Sequence, residues 1–488
     1  MKKIISTISV LLLLSIKLLY GQELDRCWPM GEEEWNIPHY QANLVFTSTG
    51  IRIDTVFRNI KLGATCASIS DSLGNMLFYT NGCVVANAID TMLNGDSLNP
   101  GPCPQSTCST TGTAVTQGTI ILPDPGNGLQ YLLFHEKCDF TLNGSPSCLY
   151  TSIIDFSQNS LGEVRNKNTV LFAHDLCDGS LTAVKHANGI DWWLLVHEKN
   201  NNCFARFLVS ATGISGPSFQ YIGTYFIEDG HGTSKFSPDG NWYATSTNLG
   251  GIDLYHFNRC NGLLSDWTYL DFPDSIWYNP VEFSPNSKVL YSDSPESIFQ
   301  FDLTAANIST SRQTVAINDG FIVNHSNTYF WVPQLGPDGK IYYSSRSCGL
   351  YLHVIEYPDS LGMGCNVMQH SISLSISNNY MVPNFPNYRL GALDSTNCDS
   401  LSSVGQNVLD EKNVFMFPNP SGAQLHLGCV RAEEKIKELV FTDNLGRSLL
   451  VEKDPLEVID LTAINNGIYF LIIQTNRGLY HKKLVVER

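Results

Sequence analysis

The residues of this sequence best suited to chemistry occur as two copies of a short motif. Phe134-His135-Glu136-Lys137 and Val196-His197-Glu198-Lys199 each follow an apolar stretch, and their histidines are 62 residues apart. A histidine beside a carboxylate can act as a general base, bind a metal ion or hold a sugar hydroxyl. Nearby polar and aromatic side chains would add donors and a stacking surface. The candidate ligand-binding set is His135, Glu136, His186, Asp191, Trp192, His197, Glu198 and His231.

A structural role for these residues is the alternative, and it is the interpretation we favour. Polar residues at strand ends commonly hydrogen-bond one part of a fold to the next. The sequence has no Gly-x-Ser-x-Gly, His-Glu-x-x-His, phosphate-binding glycine loop or dinucleotide fingerprint. We therefore assign no catalytic residue, metal ligand or cofactor, and we leave calcium in acidic loops open although no EF-hand motif occurs. We expect a binding or adhesion protein, with a hydrolase or lactonase-like enzyme using the His/Glu set as the alternative.

The elements that must position this set come from a repeat. Six segments consist of an apolar strand, a turn built on Asp or Asn, usually with Gly, and a second strand rich in Tyr, Trp, Leu and Val. The turns lie near positions 74, 128, 189, 240, 286 and 339, so the period is about 53 residues. In Ser237-Pro238-Asp239-Gly240, proline has the φ that the second position of a tight turn needs, and glycine tolerates a positive φ. Further alternating strands follow these hairpins, and four short strands per unit is the plan of a propeller blade.

We therefore predict an all-β protein with about seven propeller blades between residues 27 and 390. The last blade is expected to combine strands from both ends of this region, with Phe385–Gly391 completing the ring. The alternative is a stacked array of β-sandwiches, which would have turns roughly every 8–12 residues and no longer period.

The turn sequences resemble those of a known group of propellers. The Phe-Ser-Pro-Asp-Gly turns, the segment Ile252–Ser265 and the segment Gly336–Tyr343 are similar to WD-repeat-like propellers of exported Bacteroidetes proteins. The resemblance extends over most of residues 27–390. It implies the fold but no particular activity, because propellers serve as enzymes, lectins and scaffolds.

The N-terminus predicts export. Lys2 and Lys3 precede the apolar run Ile8–Ile16, and polar residues follow around Gly21, which is the order of a secretory signal peptide. A membrane anchor is the alternative, but it needs about 20 apolar residues and this run has roughly ten. No later stretch is long and apolar enough to span a membrane. We divide the chain into a signal peptide (1–22), a β-propeller (23–391), a linker (392–413) and a C-terminal β-sandwich (414–488).

The final segment contains several spaced motifs. Phe417–Pro420, Asp443–Arg447, Asp460-Leu461, Gly467–Phe470 and Lys482–Val486 closely resemble the type A C-terminal sorting domain of the type nine secretion system of Bacteroidetes. The resemblance implies that the secretion machinery is a partner. It also implies that the body crosses the outer membrane and is then attached to surface lipopolysaccharide or released. An ordinary cell-wall β-sandwich is the alternative. The motif residues are Phe417, Pro418, Asn419, Pro420, Gly446, Gly467, Tyr469, Lys482 and Lys483.

The 14 cysteines of an exported chain predict disulfides. A zinc site is disfavoured because the paired C-x2-C spacing of structural zinc sites is missing. Spacing alone does not fix the connectivity. The proposed pairs are Cys103/Cys108 and Cys138/Cys148, followed by Cys348/Cys365, Cys177/Cys203 and Cys66/Cys83.

The charge argues against one class of partner. The chain has 30 Lys and Arg against 46 Asp and Glu, which gives a net charge of −16. Affinity for a phosphate backbone comes mainly from Lys and Arg, so we expect no nucleic-acid partner. The acidic surface suits a soluble protein exposed outside the cell. We expect a secreted or outer-surface location and an unidentified surface, protein or carbohydrate ligand.

Overall fold

The computed structural model describes residues 23–487 except for 32–39, 64, 91, 110, 143, 227–231, 247–250, 273–278, 324–325, 346–348, 379–381, 394–397, 399–413, 430–434, 443–447, 454–457 and 476–478. The chain divides into two compact units, Met1–Asp394 and Ser395–Arg488. Helical structure in the described part is limited to α1 (Pro102–Thr107) and 3₁₀ turns at Phe140–Leu142, Ser309–Ser311 and Gly362–Cys365. None of these described helices is long and apolar enough to cross a membrane.

Apart from one two-stranded hairpin, the described part of the first unit contains seven antiparallel sheets of three or four strands in chain order, which we call blades 1 to 7. Blades 1 and 2 have three strands each: β1 (Cys27–Met30), β2 (Tyr40–Thr47) and β3 (Gly50–Phe57), then β4 (Ala67–Ser70), β5 (Met76–Thr80) and β6 (Val85–Asn87). Blades 3 and 4 have four strands each: β7 (Thr119–Pro123), β8 (Gln130–Cys138), β9 (Pro146–Asp155) and β10 (Glu163–Phe172), then β11 (Thr182–Lys185), β12 (Trp192–His197), β13 (Asn201–Ser210) and β14 (Gly213–Phe226).

Blades 5, 6 and 7 repeat the four-stranded plan. Blade 5 comprises β15 (Ser234–Phe236), β16 (Trp242–Ser246), β17 (Ile252–Asn258) and β18 (Leu263–Leu270). Blade 6 comprises β19 (Val281–Phe283), β20 (Val289–Ser294), β21 (Ser297–Asp302) and β22 (Gln313–Ile317). After the small hairpin β23 (Ile322–Val323) and β24 (Ser326–Asn327), blade 7 comprises β25 (Phe330–Leu335), β26 (Ile341–Ser345), β27 (Gly349–Ile355) and β28 (Val367–Asn378). The predicted seven-bladed all-β propeller is confirmed.

One serine closes each of two equivalent turns. In blade 5 the Ser237 N–H donates to Trp242 O at 3.0 Å, and its hydroxyl accepts the Trp242 N–H at 2.9 Å. Ser284 makes the same two contacts with Val289 in blade 6, at 2.9 and 3.0 Å. Gly240 ends the first turn with a φ of +72°, which a glycine adopts without steric cost. The turn residues therefore fix the register of the first two strands of blades 5 and 6.

Blade 7 meets blade 1 directly and closes the ring. The rings of Trp28 and Tyr342 are 5.7 Å apart, and the Gly31 N–H donates to Asn378 Oδ1 at 3.1 Å. Blade 1 and blade 7 are each built from one continuous part of the chain. The prediction that the closing blade combines strands from both ends is therefore wrong. The ring is instead closed by apolar packing between blade 7 and blade 1, in a core that includes Trp28 and Tyr342.

Residues 382–391, which we call the channel strap, form no strand and fill part of the centre of the ring. The Asn384 side-chain amide donates to Thr119 O at 3.1 Å in blade 3, and the Tyr388 hydroxyl donates to Ile121 O at 2.8 Å in the same blade. Asn384 and Tyr388 are both buried. Phe385–Gly391, which is predicted to complete the ring, contributes no strand to it; side chains of the strap are instead hydrogen-bonded to strand backbones.

The channel strap also joins blades that are distant in sequence. The side-chain amide of Asn387 donates to Pro238 O in blade 5 at 2.8 Å. The Arg389 guanidinium forms a bidentate ion pair with the Asp25 carboxylate, at 2.6 and 2.5 Å. Phe385 packs against Trp28 of blade 1. The strap thus stabilises the ring from inside.

The disulfides differ from the predicted pairs. Cys83 is bonded to Cys108, and Cys103 is bonded to Cys138. Cys103 and Cys108 lie five residues apart on and after α1, so the helix directs them to different neighbours and the predicted Cys103/Cys108 bridge is wrong. The predicted Cys138/Cys148, Cys66/Cys83, Cys177/Cys203 and Cys348/Cys365 pairs are also wrong, since Cys66, Cys148, Cys203 and Cys365 are thiols and Cys348 lies outside the described residues.

The second unit is a small β-sandwich, as predicted. One sheet has the order β29 (Val414–Phe417), β30 (Gln424–Cys429) and β33 (Val458–Asp460). The other has the order β32 (Ser448–Lys453), β31 (Ile436–Thr442), β34 (Gly467–Thr475) and β35 (Leu479–Val486). Leu425 and Leu427 of the first sheet pack with Phe441, Leu471 and Leu484 of the second in one apolar core.

Candidate ligand-binding site

His135 lies at the end of the pairing between β7 and β8, and it is fully buried. Its Nδ1 is 2.7 Å from Asn99 Oδ1, and its Nε2 is 2.9 Å from Ser152 Oγ. Burial lowers the pKa of the imidazole to about 3, so the ring is neutral at physiological pH. The ring joins the segment before blade 3 to the third strand of that blade.

His197 ends β12 and is also buried. Its Nδ1 donates to the backbone carbonyl of Glu198 at 2.8 Å, and its ring packs edge-on against Phe204 and Phe226. Burial lowers the pKa of this imidazole to about 3 as well. The aromatic walls leave His197 in an apolar site within blade 4.

The two His-Glu-Lys motifs are out of register by one residue in the structure. The pair of opposite residues nearest the turn is Pro123 with Tyr131 in blade 3 and Lys185 with Trp192 in blade 4. His135 is four residues beyond Tyr131, whereas His197 is five residues beyond Trp192. Because side chains alternate between the faces of a strand, the two histidines face opposite sides of their blades. The described contacts therefore do not bring them together.

The two motif glutamates have different surroundings. Glu198 accepts from His174 at 3.1 Å and from Asn201 at 3.2 Å. Glu136 is completely buried, and neither of its carboxyl oxygens has a hydrogen-bond partner. Burial, with a smaller contribution from Asp178, raises the Glu136 pKa well above its ordinary value. Among the described residues, no group of three or more His, Cys, Asp and Glu is arranged to hold a metal ion.

The other predicted site residues lie elsewhere. His186 and Asp191 flank the turn between β11 and β12, at the opposite end of these strands from His197. His186 Nε2 contacts Cys260 O at 3.0 Å, and Asp191 accepts from the amide of Asn188 at 2.8 Å. Trp192 is buried beside Tyr388 of the channel strap. His231 lies outside the described residues. Binding by the predicted set stays a prediction.

A different set of polar residues surrounds a cavity at the centre of the ring. The cavity has a volume of about 230 Å³. The first strands of blades 5, 6 and 7 form one wall with Lys235, Glu282 and Gln334, and the channel strap forms another with Phe385 and Arg389. We call this space the channel cavity.

The polar wall of the channel cavity is a buried network. The Lys235 Nζ donates to Gln334 Oε1 at 2.6 Å and lies 3.6 Å from Glu282 Oε2. Glu282 accepts two backbone N–H groups, from Phe283 at 2.9 Å and Leu335 at 3.0 Å. All three network side chains are at least nine-tenths buried. Their partners compensate for the loss of water, which is costly for unpaired buried charges.

Burial also shifts the ionisation of this network. It lowers the pKa of Lys235 and raises that of Glu282, while the attraction between the two groups opposes both shifts. Both pKa values therefore move from their ordinary ranges toward neutral pH. Groups shifted in this way concentrate at functional sites, although structural ion pairs show the same behaviour.

The repeat explains why these three side chains meet. Lys235, Glu282 and Gln334 each stand three residues before the turn proline, in Lys-Phe-Ser-Pro, Glu-Phe-Ser-Pro and Gln-Leu-Gly-Pro. Equivalent positions of successive first strands point into one channel, so the repeat places them side by side. At the corresponding position of blade 4 the chain has Val184. A polar residue at this position of an apolar strand is the signal that our sequence reasoning did not use.

The motif residues of the C-terminal unit are also placed. Asn419 donates to Lys483 O and accepts from the Val485 N–H, both at 2.8 Å, so the segment between Pro418 and Pro420 is held against β35. The Phe417 ring stacks on His426, and the Tyr469 hydroxyl donates to Asn465 O at 2.9 Å. Gly467 begins β34, and Lys482 and Lys483 lie in β35. Gly446 lies outside the described residues.

Comparison with known proteins identifies the C-terminal unit. Residues 415–487 match the family described as the secretion system C-terminal sorting domain. This match indicates export through the type nine secretion system, so the protein is secreted or carried on the cell surface. No curated protein matches the chain.

Solved structures of low similarity cover much of the chain. The Pseudomonas aeruginosa periplasmic gluconolactonase PpgL is 9% identical, with 73% of this chain and 98% of that chain covered and a TM-score of 0.42. A Bacteroides fragilis protein provisionally described as a 6-phosphogluconolactonase is 10% identical, with 74% and 99% covered and a TM-score of 0.42. The Dos1 propeller is 11% identical, with 80% and 73% covered and a TM-score of 0.34.

Proposed function

We propose that this exported protein is a β-propeller that binds a small polar ligand in the channel cavity. The observation that supports the proposal is the polar wall of Lys235, Glu282 and Gln334, one residue from each of three successive blades, beside a space that the channel strap leaves open. A concave site with a few convergent polar groups and apolar surroundings is the usual form of a small-molecule site.

The geometry favours recognition over catalysis. Lys235 is held by Gln334, and Glu282 is held by two backbone N–H groups. Such a network is rigid and presents fixed donors and acceptors, which suits selective binding. His135 and His197, which a hydrolase was expected to use, lie outside the cavity: His135 contacts Asn99 and Ser152, and His197 donates to the Glu198 carbonyl.

A hydrolase or lactonase-like enzyme is the second candidate. The observation that favours it is the pair Lys235 and Glu282, whose pKa values burial moves in opposite directions toward neutral pH. A carboxyl group of raised pKa can act as a general acid or base on a substrate in the cavity. Turnover of a lactone or ester by the wild type, lost in Glu282→Gln, would support this candidate.

The sorting domain indicates the cellular location at which the protein would bind its ligand. We infer that the protein belongs to a Bacteroidetes cell, that its signal peptide is removed, and that its propeller is displayed on the surface after loss of the C-terminal domain. The resemblance of Phe417–Pro420 and Gly467–Phe470 to sorting-domain motifs supports this inference. Mass spectrometry of the cell-surface fraction tests it, since an intact C-terminal β-sandwich there would contradict the removal.

The binding proposal is tested with the chain from residue 23 to residue 488. Thermal unfolding and isothermal titration are measured against small sugars, sugar acids, amino acids and lactones. We expect at least one compound to bind and raise the unfolding temperature, and Lys235→Met to abolish the effect. Lys288→Met is the matched control, because Lys288 is exposed on a neighbouring turn. Failure of every compound, or equal binding by Lys235→Met, would contradict the proposal.

A further inference from the structure

The charges around the channel cavity cancel in pairs. Lys235 faces Glu282, with Nζ and Oε2 3.6 Å apart. Arg389, the other cation of the lining, forms a bidentate ion pair with the Asp25 carboxylate. Gln334 completes the polar wall as a neutral amide. A charged ligand would lose its hydration without gaining a free partner of opposite charge, which is strongly unfavourable. The lining therefore selects a neutral ligand.

The same wall retains hydrogen-bonding capacity. An ammonium group has three N–H donors, and Gln334 Oε1 takes one of those on Lys235. Glu282 Oε2 is beyond hydrogen-bond distance from Lys235, and a carboxylate has about four acceptor positions. Donors and acceptors thus stand side by side a few ångströms apart. Adjacent hydroxyl groups, each both donor and acceptor, match this pattern.

Much of the remaining lining is apolar, although Thr182, Ser237 and Asn387 also line the cavity. The ring of Phe385 and the turn prolines Pro238, Pro285 and Pro337 face the cavity, together with Phe236. A pyranose ring has a C–H surface that packs on such groups while its hydroxyl edge is hydrogen-bonded. The volume of about 230 Å³ is far above the roughly 10–15 Å³ that a single water needs, so the cavity has room for a ligand of the size of a sugar ring.

We propose that the channel cavity binds one neutral monosaccharide unit, either as a free sugar or as the terminal residue of a glycan. The proposal rests on the function proposed above and narrows its ligand. Lys235 and Glu282 bind vicinal hydroxyls, and the Phe385 and proline surfaces bind the ring face.

The test is a titration of the chain from residue 23 to residue 488, followed by saturation-transfer NMR and calorimetry. The probes are glucose, galactose, mannose and N-acetylglucosamine, each also as the terminal residue of an immobilised oligosaccharide. Gluconate, glucuronate, glycine and inorganic phosphate are the charged or zwitterionic counterparts. We expect a neutral sugar to bind and the charged compounds to bind at least about tenfold more weakly. Binding to the free sugar but not to the oligosaccharide would identify a free solute as the source, and equal binding would identify a glycan end.

Two variants make the test specific. We expect Lys235→Met to weaken neutral sugar binding about tenfold or more, as the loss of a hydrogen bond from a charged donor requires. Glu282→Gln leaves Lys235 without its counter-charge, so we expect the ratio of gluconate to neutral sugar affinity to rise about tenfold. Unchanged far-UV circular dichroism and an unfolding temperature like that of Lys288→Met establish that each variant is folded.

The outcomes separate the two proposals. Wild-type binding of gluconate, phosphate or glycine without any neutral sugar would overturn the sugar assignment and leave the channel cavity as a ligand site. A neutral sugar that binds equally well to wild type and folded Lys235→Met would overturn the cavity as its site. Absence of binding by every probe to folded wild-type protein would overturn the sugar assignment, and failure of the amino acids and lactones of the wider panel as well would overturn the proposed function.

Discussion

At Glu136, burial conflicts directly with ionisation of the carboxyl group. Its carboxyl group is fully buried, and both of its oxygens are without hydrogen-bond partners. Burial raises its pKa well above the ordinary value, so the folded protein keeps this proton over a range in which the unfolded chain releases it. A buried polar group without a partner lowers stability by about 1–3 kcal/mol. The His-Glu-Lys motif therefore reduces the free energy of unfolding at neutral pH.

We expect Glu136→Gln to stabilise the protein more at pH 7.5 than at pH 4. The folded-state pKa of Glu136 is raised, so its contribution is fully present below the unfolded pKa of 4.5 and is lost as pH rises above it. Glutamine does not titrate and removes this loss, which amounts to about 1.4 kcal/mol for each pH unit between the two pKa values. Urea unfolding at pH 4, 5.5 and 7.5 measures the difference.

The control for this prediction is Glu198→Gln. The Glu198 carboxylate has His174 and Asn201 as partners, so its replacement gives no comparable gain at pH 7.5. A parallel pH profile for wild type and Glu136→Gln would show that the Glu136 carboxyl is ionised and partnered in solution, contrary to the structure.

At the scale of elements, the channel strap replaces a shared closing blade. Asn384 and Tyr388 bond to the backbone of the innermost strand of blade 3, and Arg389 reaches Asp25 before blade 1. Propeller blades contact only their neighbours through packing, whereas the strap links blades 1, 3 and 5 directly. It also determines the channel cavity, because it occupies the part of the channel beside blades 3 and 4.

We expect substitutions in the strap to destabilise the whole ring. Tyr388→Phe removes the bond to Ile121 O and is expected to lower the free energy of unfolding by about 1 kcal/mol. Arg389→Met leaves the Asp25 carboxylate unpaired, and we expect a loss of about 2 kcal/mol, less than for a deeply buried pair because Arg389 is one-third exposed. Urea unfolding at constant m-value measures both. Tyr357→Phe, at an exposed tyrosine, is the control, and equal losses at Tyr357 and Tyr388 would contradict a special role for the strap.

Local turn chemistry was sufficient to predict the blades, but the orientation of the two histidines and the position of the strap depend on longer-range geometry. Ser237 to Gly240 encodes its hairpin in the residues themselves. The side of the blade to which His135 or His197 points depends on which residues pair beside the turn. The loop before Tyr131 shifts this pairing by one residue in blade 3 relative to blade 4. From its sequence alone the strap could be the last strand of a blade. Its position in the channel becomes visible only in the closed ring.

The channel cavity could have been found from the sequence in part. The recurrence of Lys235, Glu282 and Gln334 three residues before a turn proline is visible in the repeat. The cavity itself is not, because its volume depends on how much of the channel Phe385 and Arg389 occupy. The cysteine pairs were equally inaccessible, since α1 sends Cys103 and Cys108 to partners that spacing does not reveal.

At the scale of the whole molecule, the proposed ligand site and the sorting domain belong to different units. The propeller and the C-terminal β-sandwich have separate apolar cores, and the chain divides between Asp394 and Ser395. From the net charge of −16 we still expect no nucleic-acid partner, because affinity for a phosphate backbone comes mainly from Lys and Arg. Changes in one unit should therefore leave the function of the other intact.

We expect Asn419→Ala to impair export while ligand binding by the propeller is retained. The side chain of Asn419 bonds to the backbone of Lys483 and Val485, and its loss leaves both groups without this partner, which lowers the stability of the β-sandwich by about 1–2 kcal/mol. Deletion of residues 414–488 should abolish export completely. Lys483→Gln is the control, because this exposed side chain can be changed without breaking the bond to its carbonyl. Immunoblots of periplasm, cell surface and medium measure export, and calorimetry measures binding. Export of the deletion variant, or loss of binding in Asn419→Ala, would show that the two functions are not separable along the chain.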